Sequence, residues 1–317
     1  MHFLFAYLLY IYLKDSPGFD IIDISEYLGG SILKNIFGFI FIIYFLVTSS
    51  ILVREFAEGL KVVYYPMTAI IYVLCFFVLS AFISSTLKFS STIKTNLIVT
   101  TFVFCSILFL FIGNFSKYSF QRIFPILGKG FCNTFVIGLN NIYAFEGIVF
   151  LYFLPPLLKK PEQFKKIAIY SIIFHIIYLI LAIASVIFMF SSVGEPNDIM
   201  PLYSAARFLQ FNSFFERLES LLLLIWIMSF GCYLNIYIKF AIMIFKKISK
   251  VKYTNSLVAP FCILSFGISL IPLNYSYSDF FETYIHPCLV IGFVFFFCIG
   301  LLVFANIKKK KSKKVGD

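Results

Sequence analysis

Apolar runs alternate with short polar segments along nearly the whole chain, and the lengths of those runs decide the fold class. A helix needs roughly 20 predominantly apolar residues to cross the hydrocarbon layer of a bilayer. Stretches at 36–53, 67–87, 95–113, 132–158, 167–190, 220–245, 256–276 and 286–307 reach or approach that length. A further stretch, MHFLFAYLLYIYL at 1–13, is too short to cross alone. It lacks the basic start and the small-residue cleavage site of a secretory signal, and reads as the second half of a helix. The pattern predicts an all-α polytopic membrane helix bundle: a single transmembrane domain over 1–307, then a basic tail at 308–317.

Charge placement orients these spans. Counting 1–13 as a span, the connecting segments alternate sides. Eighteen Lys and Arg fall on the side holding 14–35, 88–94, 159–166, 246–252 and the tail, against seven on the side holding 54–66, 114–131, 191–219 and 277–285. Cytoplasmic loops carry the excess of positive charge, so the Lys-rich side and the KKKKSKK tail are expected in the cytoplasm. The first residue then lies outside, and one further helix upstream is expected to complete the count. The net charge of +11 is thereby explained by topology, and a nucleic-acid partner is not expected.

Composition agrees. Hydrophobic residues make up 61% of the chain and charged residues 13%, where globular domains are near half apolar and a quarter charged. The seven cysteines (75, 105, 132, 232, 262, 288 and 298) lie in or beside apolar spans without a CxxC pair, and read as small core residues rather than metal ligands or disulfides. Segments 200–217 and 115–130 mix apolar, basic and helix-breaking residues in the loops, as interfacial lids over a pocket or as ordinary interfacial connections.

Polar groups inside spans are costly and mark candidate sites. In TFVIGLNNIYAFEGIVFLYFLPP at 134–156, Asn140, Asn141, Tyr143, Phe145, Glu146 and Gly147 interrupt an apolar helix near its middle. Paired Asn and a Gly suit a broken helix whose freed backbone groups hold a ligand near the midplane. The alternative is a continuous helix whose Glu146 pairs with a neighbour. A second set is Thr48, Ser49 and Ser50 in LVTSSILVREFAEGL at 46–60, followed by Arg54, Glu55 and Glu58 at the helix end, with Arg54 and Glu58 at i,i+4 spacing. A third is Trp226, Ser229, Tyr233 and Asn235 in 216–240, where Ser229 and Tyr233 share a face and Gly231 permits close helix approach. These line a cavity or join helices. His175, alone in an apolar helix, reads as a hydrogen-bonded packing residue. No GxSxG, HExxH or P-loop is present, and the one GxG, at 128–130, follows no strand. Neither an enzyme nor a bound cofactor is expected.

The ordered series LVREFAEGL (52–60), FPILGKG (124–130), FEGIVFLYFLPPLLK (145–159), FFERLESLLLLIWI (214–227) and IPLNYSYSDFFETY (271–284), with a lysine tail after it, resembles the spore-germination permease family. These are the B subunits of germinant receptors, within the amino acid–polyamine–organocation transporter superfamily. The resemblance implies a bundle of ten helices in two inverted five-helix repeats, with the first and sixth helices unwound around the ligand. On this mapping 132–158 is the sixth helix, 36–53 the third and 220–245 the eighth. It implies binding of a small nutrient germinant, usually an amino acid, and signalling to companion A and C subunits in the spore inner membrane. Family members carry one whole helix and half of the next ahead of the point where this chain begins, so an N-terminally truncated bundle lacking the first helix is expected. The competing expectations are an ion-coupled amino acid transporter, with Glu146 as proton carrier, and a nonfunctional truncated paralogue.

Overall fold

The computed structural model describes residues 2–13, 18–128, 130–190, 199–209, 218–249, 251 and 255–316. They form helices and turns, with no strand among them. Helix α1 spans His2–Leu13, α2 Ile21–Tyr64, α3 Ile70–Thr86 and α4 Phe89–Gly113. After the short helix α5 (Phe131–Phe135), the chain winds more tightly, as a 3-10 helix, from Ile137 to Phe153. Helices α6 (Gln163–Met189), α7 (Pro201–Arg207), α8 (Leu218–Ser249) and α9 (Asn255–Ser269) follow. The last element runs from Tyr275 to Gly316, with wider π-type turns at Phe281–Ile285 and Val290–Phe297. Among the described residues α2, α4, α6, α8 and this last element are long and apolar enough to cross a bilayer, while α3 and α9 are shorter apolar helices. The molecule is an all-α polytopic membrane bundle.

Helix α2 begins well ahead of the apolar run at 36–53. A capping box starts it: the Asp20 carboxylate accepts from the amides of Ile22 (2.9 Å) and Asp23 (3.0 Å), and Asp23 returns a bond to the Asp20 amide (3.1 Å). Lys247 near the end of α8 bridges Asp20 and Asp23 at 2.7 and 2.6 Å. Helix α2 then kinks at Gly29–Gly30, where Gly30 adopts φ 65°, a conformation that side chains with a Cβ rarely take. Beyond the kink α2 runs through the centre of the bundle. Gly38 lets α8 approach so closely that a Cβ there would stand 2.6 Å from Ile248 Cγ2.

Aromatic side chains fill the interior around α2. Phe45 is fully buried, with ring centroids of Phe150, Tyr237 and Phe153 at 5.5, 5.4 and 5.7 Å. Helix α1 packs onto the tight helix and the last element, Phe5 facing Tyr152 and Phe295 at 5.8 and 4.3 Å. Polar ties lock α2 to α9: Ser50 and Ser265 share a hydrogen bond of 2.7 Å, and Arg54 donates to the Ser269 carbonyl (3.2 Å) while pairing with Glu58 at 2.7 Å.

The irregular backbone has local causes. Pro287 has no N–H to give back to the preceding turn, and the π-type turn at Phe281–Ile285 ends just before it. In the second π-type turn the Val294 carbonyl accepts the Tyr152 hydroxyl at 2.6 Å. A non-helical carbonyl at membrane depth needs such a partner.

Candidate functional site

Helix α8 carries Trp226, Ser229, Tyr233 and Tyr237 at spacings of three, four and four, which puts them in one stripe. Its other side is engaged by α3. Asn235 accepts from Ser85 (2.8 Å), Gly231 lies against Ser80, and Lys239 donates to the Leu87 carbonyl (2.6 Å) at the end of α3 and to Thr92. The aromatic stripe is thereby held toward α2, α4 and α6.

Two adjoining cavities lie along this stripe. One, of about 350 Å³, is lined by Trp226, Ser229, Phe230, Glu55, Phe56 and Tyr203 among others. The second, of about 440 Å³, shares Ser229 and Phe230 with it and adds Tyr233, Asn96, Thr100 and His175. Both fall within the range of small-ligand sites, mostly apolar with a few polar groups. Trp226 Nε1 donates to Ser106 Oγ on α4 (3.3 Å), and the Ser229 hydroxyl donates back to the Trp226 carbonyl (2.7 Å). The Asn96 side-chain carbonyl oxygen has no partner among the described residues.

Helix α7 covers the first cavity. Tyr203 and Pro201 line it, and the Asn114 amide donates to the Ala205 carbonyl at 3.0 Å, holding α7 down. The Tyr203 hydroxyl donates to Tyr64 (3.2 Å), which lies 3.0 Å from the Ser220 hydroxyl at the start of α8. Burial holds the Tyr203 phenol above its usual range, so it remains a donor. Gly59 makes room for this cover, since a Cβ there would meet Met200 at 2.9 Å. Of segment 200–217, residues 210–217 lie outside the described residues. In segment 115–130, Phe115–Lys117 and Phe120–Ile123 form short 3-10 turns, and Arg122 donates to the Phe188 carbonyl (2.9 Å) at the end of α6.

Beyond Tyr233 lies a buried ionisable cluster. Both Tyr233 and Tyr237 donate to Glu146 Oε1, the latter at 2.8 Å. Glu146 Oε2 lies 3.0 Å from His286 Nε2, and His286 Nδ1 lies 3.2 Å from Glu282 Oε2. The His286 side chain is fully buried and the two carboxylates are nearly so. Tyr44 on α2 stands beside it, ring centroids 6.4 Å apart.

The structure thus brings Glu146, Tyr233, Ser229 and Trp226 together. Gly147 borders a separate cavity of about 320 Å³ between the tight helix and α6. The side chains of Asn140, Asn141, Tyr143 and Phe145 lie outside the described residues. Their backbone belongs to the tight helix rather than to an α-helix, and its Ala144 carbonyl accepts from His175 Nε2 at 2.9 Å. Thr48 and Ser49 are fully buried in α2 and line neither cavity of the α8 stripe. The Ser49 hydroxyl bonds back to the Phe45 carbonyl (2.7 Å), whereas Thr48 has no partner among the described residues. Sequence reasoning passed over His286, Glu282, Tyr237 and Tyr44. The signal was present: Glu282 and His286 are an i,i+4 pair entering an apolar span, Tyr237 is one turn past Tyr233, and Tyr44 one turn before Thr48. No group of three or more metal-ligating side chains is arranged to hold an ion among the described residues.

Residues 1–278 match the family model described as spore germination protein. The chain is 25% identical over 308 residues to spore germination protein A2 of Bacillus subtilis (strain 168), covering 94% of this chain and 84% of that one. No solved structure matches it. With a family model matched over most of its length, and a helical bundle of apolar spans beneath it, the chain belongs to the spore germination protein family and is a germination-related integral membrane protein.

Proposed function

We propose that the chain is a germinant-receptor subunit that binds a small nutrient, most simply an amino acid, in the cavities along Trp226, Ser229 and Tyr233. The observation that carries this reading is the pair of adjoining cavities, mostly apolar but bordered by Glu55, Ser229, Tyr233 and Asn96. An α-amino acid presents an ammonium and a carboxylate on a small body. A cavity of this size with a few polar groups suits such a ligand. The segment Asn140–Gly147 completes the site on this reading, with Asn140, Asn141, Tyr143 and Phe145 proposed among its ligand-binding residues. Thr48 and Ser49 support it from α2. Binding is passed to companion A and C subunits in the spore inner membrane, with the lysine tail in the cytoplasm. The spans are those given by the apolar runs over 1–307.

Filling the cavity tests this directly. Ser229→Leu should raise the amino acid concentration needed for germination at least tenfold, read as loss of spore optical density at unchanged subunit level. Leu224→Ala, at a residue of α8 that is 57% exposed, should leave the response unchanged. An unaltered response in Ser229→Leu places the nutrient elsewhere. A second reading, an ion-coupled amino acid transporter, is favoured by the buried Glu146–His286 pair. It requires gradient-driven accumulation of amino acid in vesicles carrying the chain.

A further inference from the structure

We infer that Glu146, His286 and Glu282 form a proton-binding site, linked through Tyr233 to the cavity; the link rests on the reading of that cavity as the nutrient site. The argument starts from donors and acceptors. A neutral imidazole has one N–H and one lone pair, so it donates at only one nitrogen. His286 has a carboxylate oxygen at hydrogen-bond distance on each nitrogen, 3.0 and 3.2 Å away. A neutral imidazole between two carboxylates leaves one contact repulsive; both become favourable when the cluster takes up a proton, on the second ring nitrogen or on a carboxyl that then donates to that nitrogen. The first form is an imidazolium between two carboxyl groups.

Charge then requires a second proton. Two carboxylates and one imidazolium leave a net negative charge, and among the described residues the buried cations of the neighbouring helices are engaged elsewhere: Arg54 of α2 pairs with Glu58, and Lys239 of α8 donates to the Leu87 carbonyl and to Thr92. From the tight helix the facing ionisable group is Glu146, and from α8 they are Tyr233 and Tyr237. From α2 they are Tyr44 and, toward the helix end, Glu55 with Tyr275 hydrogen-bonded to it at 3.4 Å. On its own element His286 has Glu282, with Asp279 one turn earlier. An uncompensated charge within a membrane protein is costly, and protonation removes it.

The two carboxyls are not equivalent. Glu146 Oε1 accepts from both Tyr233 and Tyr237, and its Oε2 lies 3.0 Å from His286. Glu282 has only the His286 contact among the described pairs, so the second proton resides on Glu282. The bound state is an imidazolium, one carboxylate and one carboxylic acid, neutral overall.

An independent observation marks the site as one that receives a ligand. The Tyr44 hydroxyl is buried beside the imidazole with no partner among the described residues, and so is Thr48, one turn further along the same face of α2. Buried hydroxyls without partners are costly unless they serve an occupant. Tyr233 is the link to the cavity: its ring lines the second cavity while its hydroxyl is held by Glu146. A change of protonation on the cluster alters that hold.

The test uses the full chain in lipid vesicles. Infrared difference spectra over roughly pH 5–9, where imidazole and buried carboxyls titrate, should show a protonated-carboxyl signal. Glu282→Gln should abolish it, and His286→Gln should shift its midpoint by about one pH unit or more, a tenfold change in proton affinity. A signal that survives in both Glu282→Gln and Glu146→Gln overturns the proposal. So does a signal that answers to sodium or potassium at fixed pH. Helical circular dichroism confirms that each variant is folded. The link is read from Trp226, the chain's one tryptophan and a cavity wall, using a mixture of non-aromatic amino acids as probe. The apparent affinity should change with pH, by up to about tenfold per unit for one coupled proton, and flatten in Glu282→Gln. A response that is equally steep in wild type and variant, or flat in both, overturns the link. No response at any pH refutes the nutrient reading, while the infrared titration still decides the proton site.

Discussion

Helices α2 and α6 are both long, strongly apolar and unbroken by charge at their centres, yet they occupy opposite environments. In α2 67% of the most apolar stretch is buried within the bundle; in α6 the share is 17%. Hydropathy cannot separate them, because lipid and protein interior are equally apolar to a Leu or Ile side chain. What separates them is the small and polar content. Helix α2 carries Gly38 against α8 and buried Ser50 and Arg54 bonded to α9. Helix α6 meets lipid with Ile177, Ile180 and Ile183, each well exposed. A membrane helix thus marks its inward position by the groups that need a partner.

The largest break in this comparison should come from charge. Arg54 is buried and bonded to Glu58 and to two carbonyls, of Ser269 at the end of α9 and of Leu273 in the connection after it. Arg54→Leu strands Glu58 and both carbonyls, and is expected to cost about 3–5 kcal/mol. Its counterpart Lys166→Ala, on an exposed turn of α6, should fall within about 0.5 kcal/mol. Unfolding in micelles of fixed composition measures both, and equal losses would erase the distinction drawn between the helices.

Packing should give the next effect. Phe45→Ala opens a hole among Phe150, Phe153 and Tyr237. In water-soluble cores such a change costs ~3–5 kcal/mol, part of it transfer from water. Lipid removes most of that transfer contribution, leaving the cavity and lost dispersion. A loss of about 2–3 kcal/mol follows, against less than about 0.5 for lipid-facing Ile180→Ala. A loss at Phe45 as small as at Ile180 would mean that the aromatic interior around α2 is loosely filled.

The contrast also explains what the sequence made legible. Run length identified a bundle, because spanning a bilayer leaves few alternatives to apolar helices. Glu146 stood out as a carboxyl inside an apolar span, and Ser229 with Tyr233 as an i,i+4 pair, and the structure joins them at one site. His286 was not legible in the same way. It stands where the apolar run begins, so its span boundary hid it, and its partner Glu282 read as a loop residue. The wide turn before Pro287 carries both into the bundle, and neither composition nor period announces such a turn. The tight winding of Ile137–Phe153 was signalled only as an interruption by Asn and Gly. His175 read as a hydrogen-bonded packing residue, and it does bond the Ala144 carbonyl of this helix, 31 residues away, a partner that local sequence could not name.

The smallest effect sharpens the comparison most, because it separates polar groups that join helices from those that only satisfy their own. Ser50 and Ser265 bond across α2 and α9 at 2.7 Å, while Ser185 in α6 bonds back to the Leu181 carbonyl at 2.8 Å. Interhelical hydrogen bonds in membranes average about 0.6 kcal/mol, since the separated helices find other partners. A double-mutant cycle of Ser50→Ala and Ser265→Ala should therefore give a coupling near that value. Ser185→Ala should change stability by less than about 0.5 kcal/mol, because the freed carbonyl keeps its own helix bond. Zero coupling between Ser50 and Ser265 would assign the inner position of α2 to packing alone. Coupling above about 1.5 kcal/mol, near the upper end seen in membranes, would make the α2–α9 seam a polar clasp rather than a packed one.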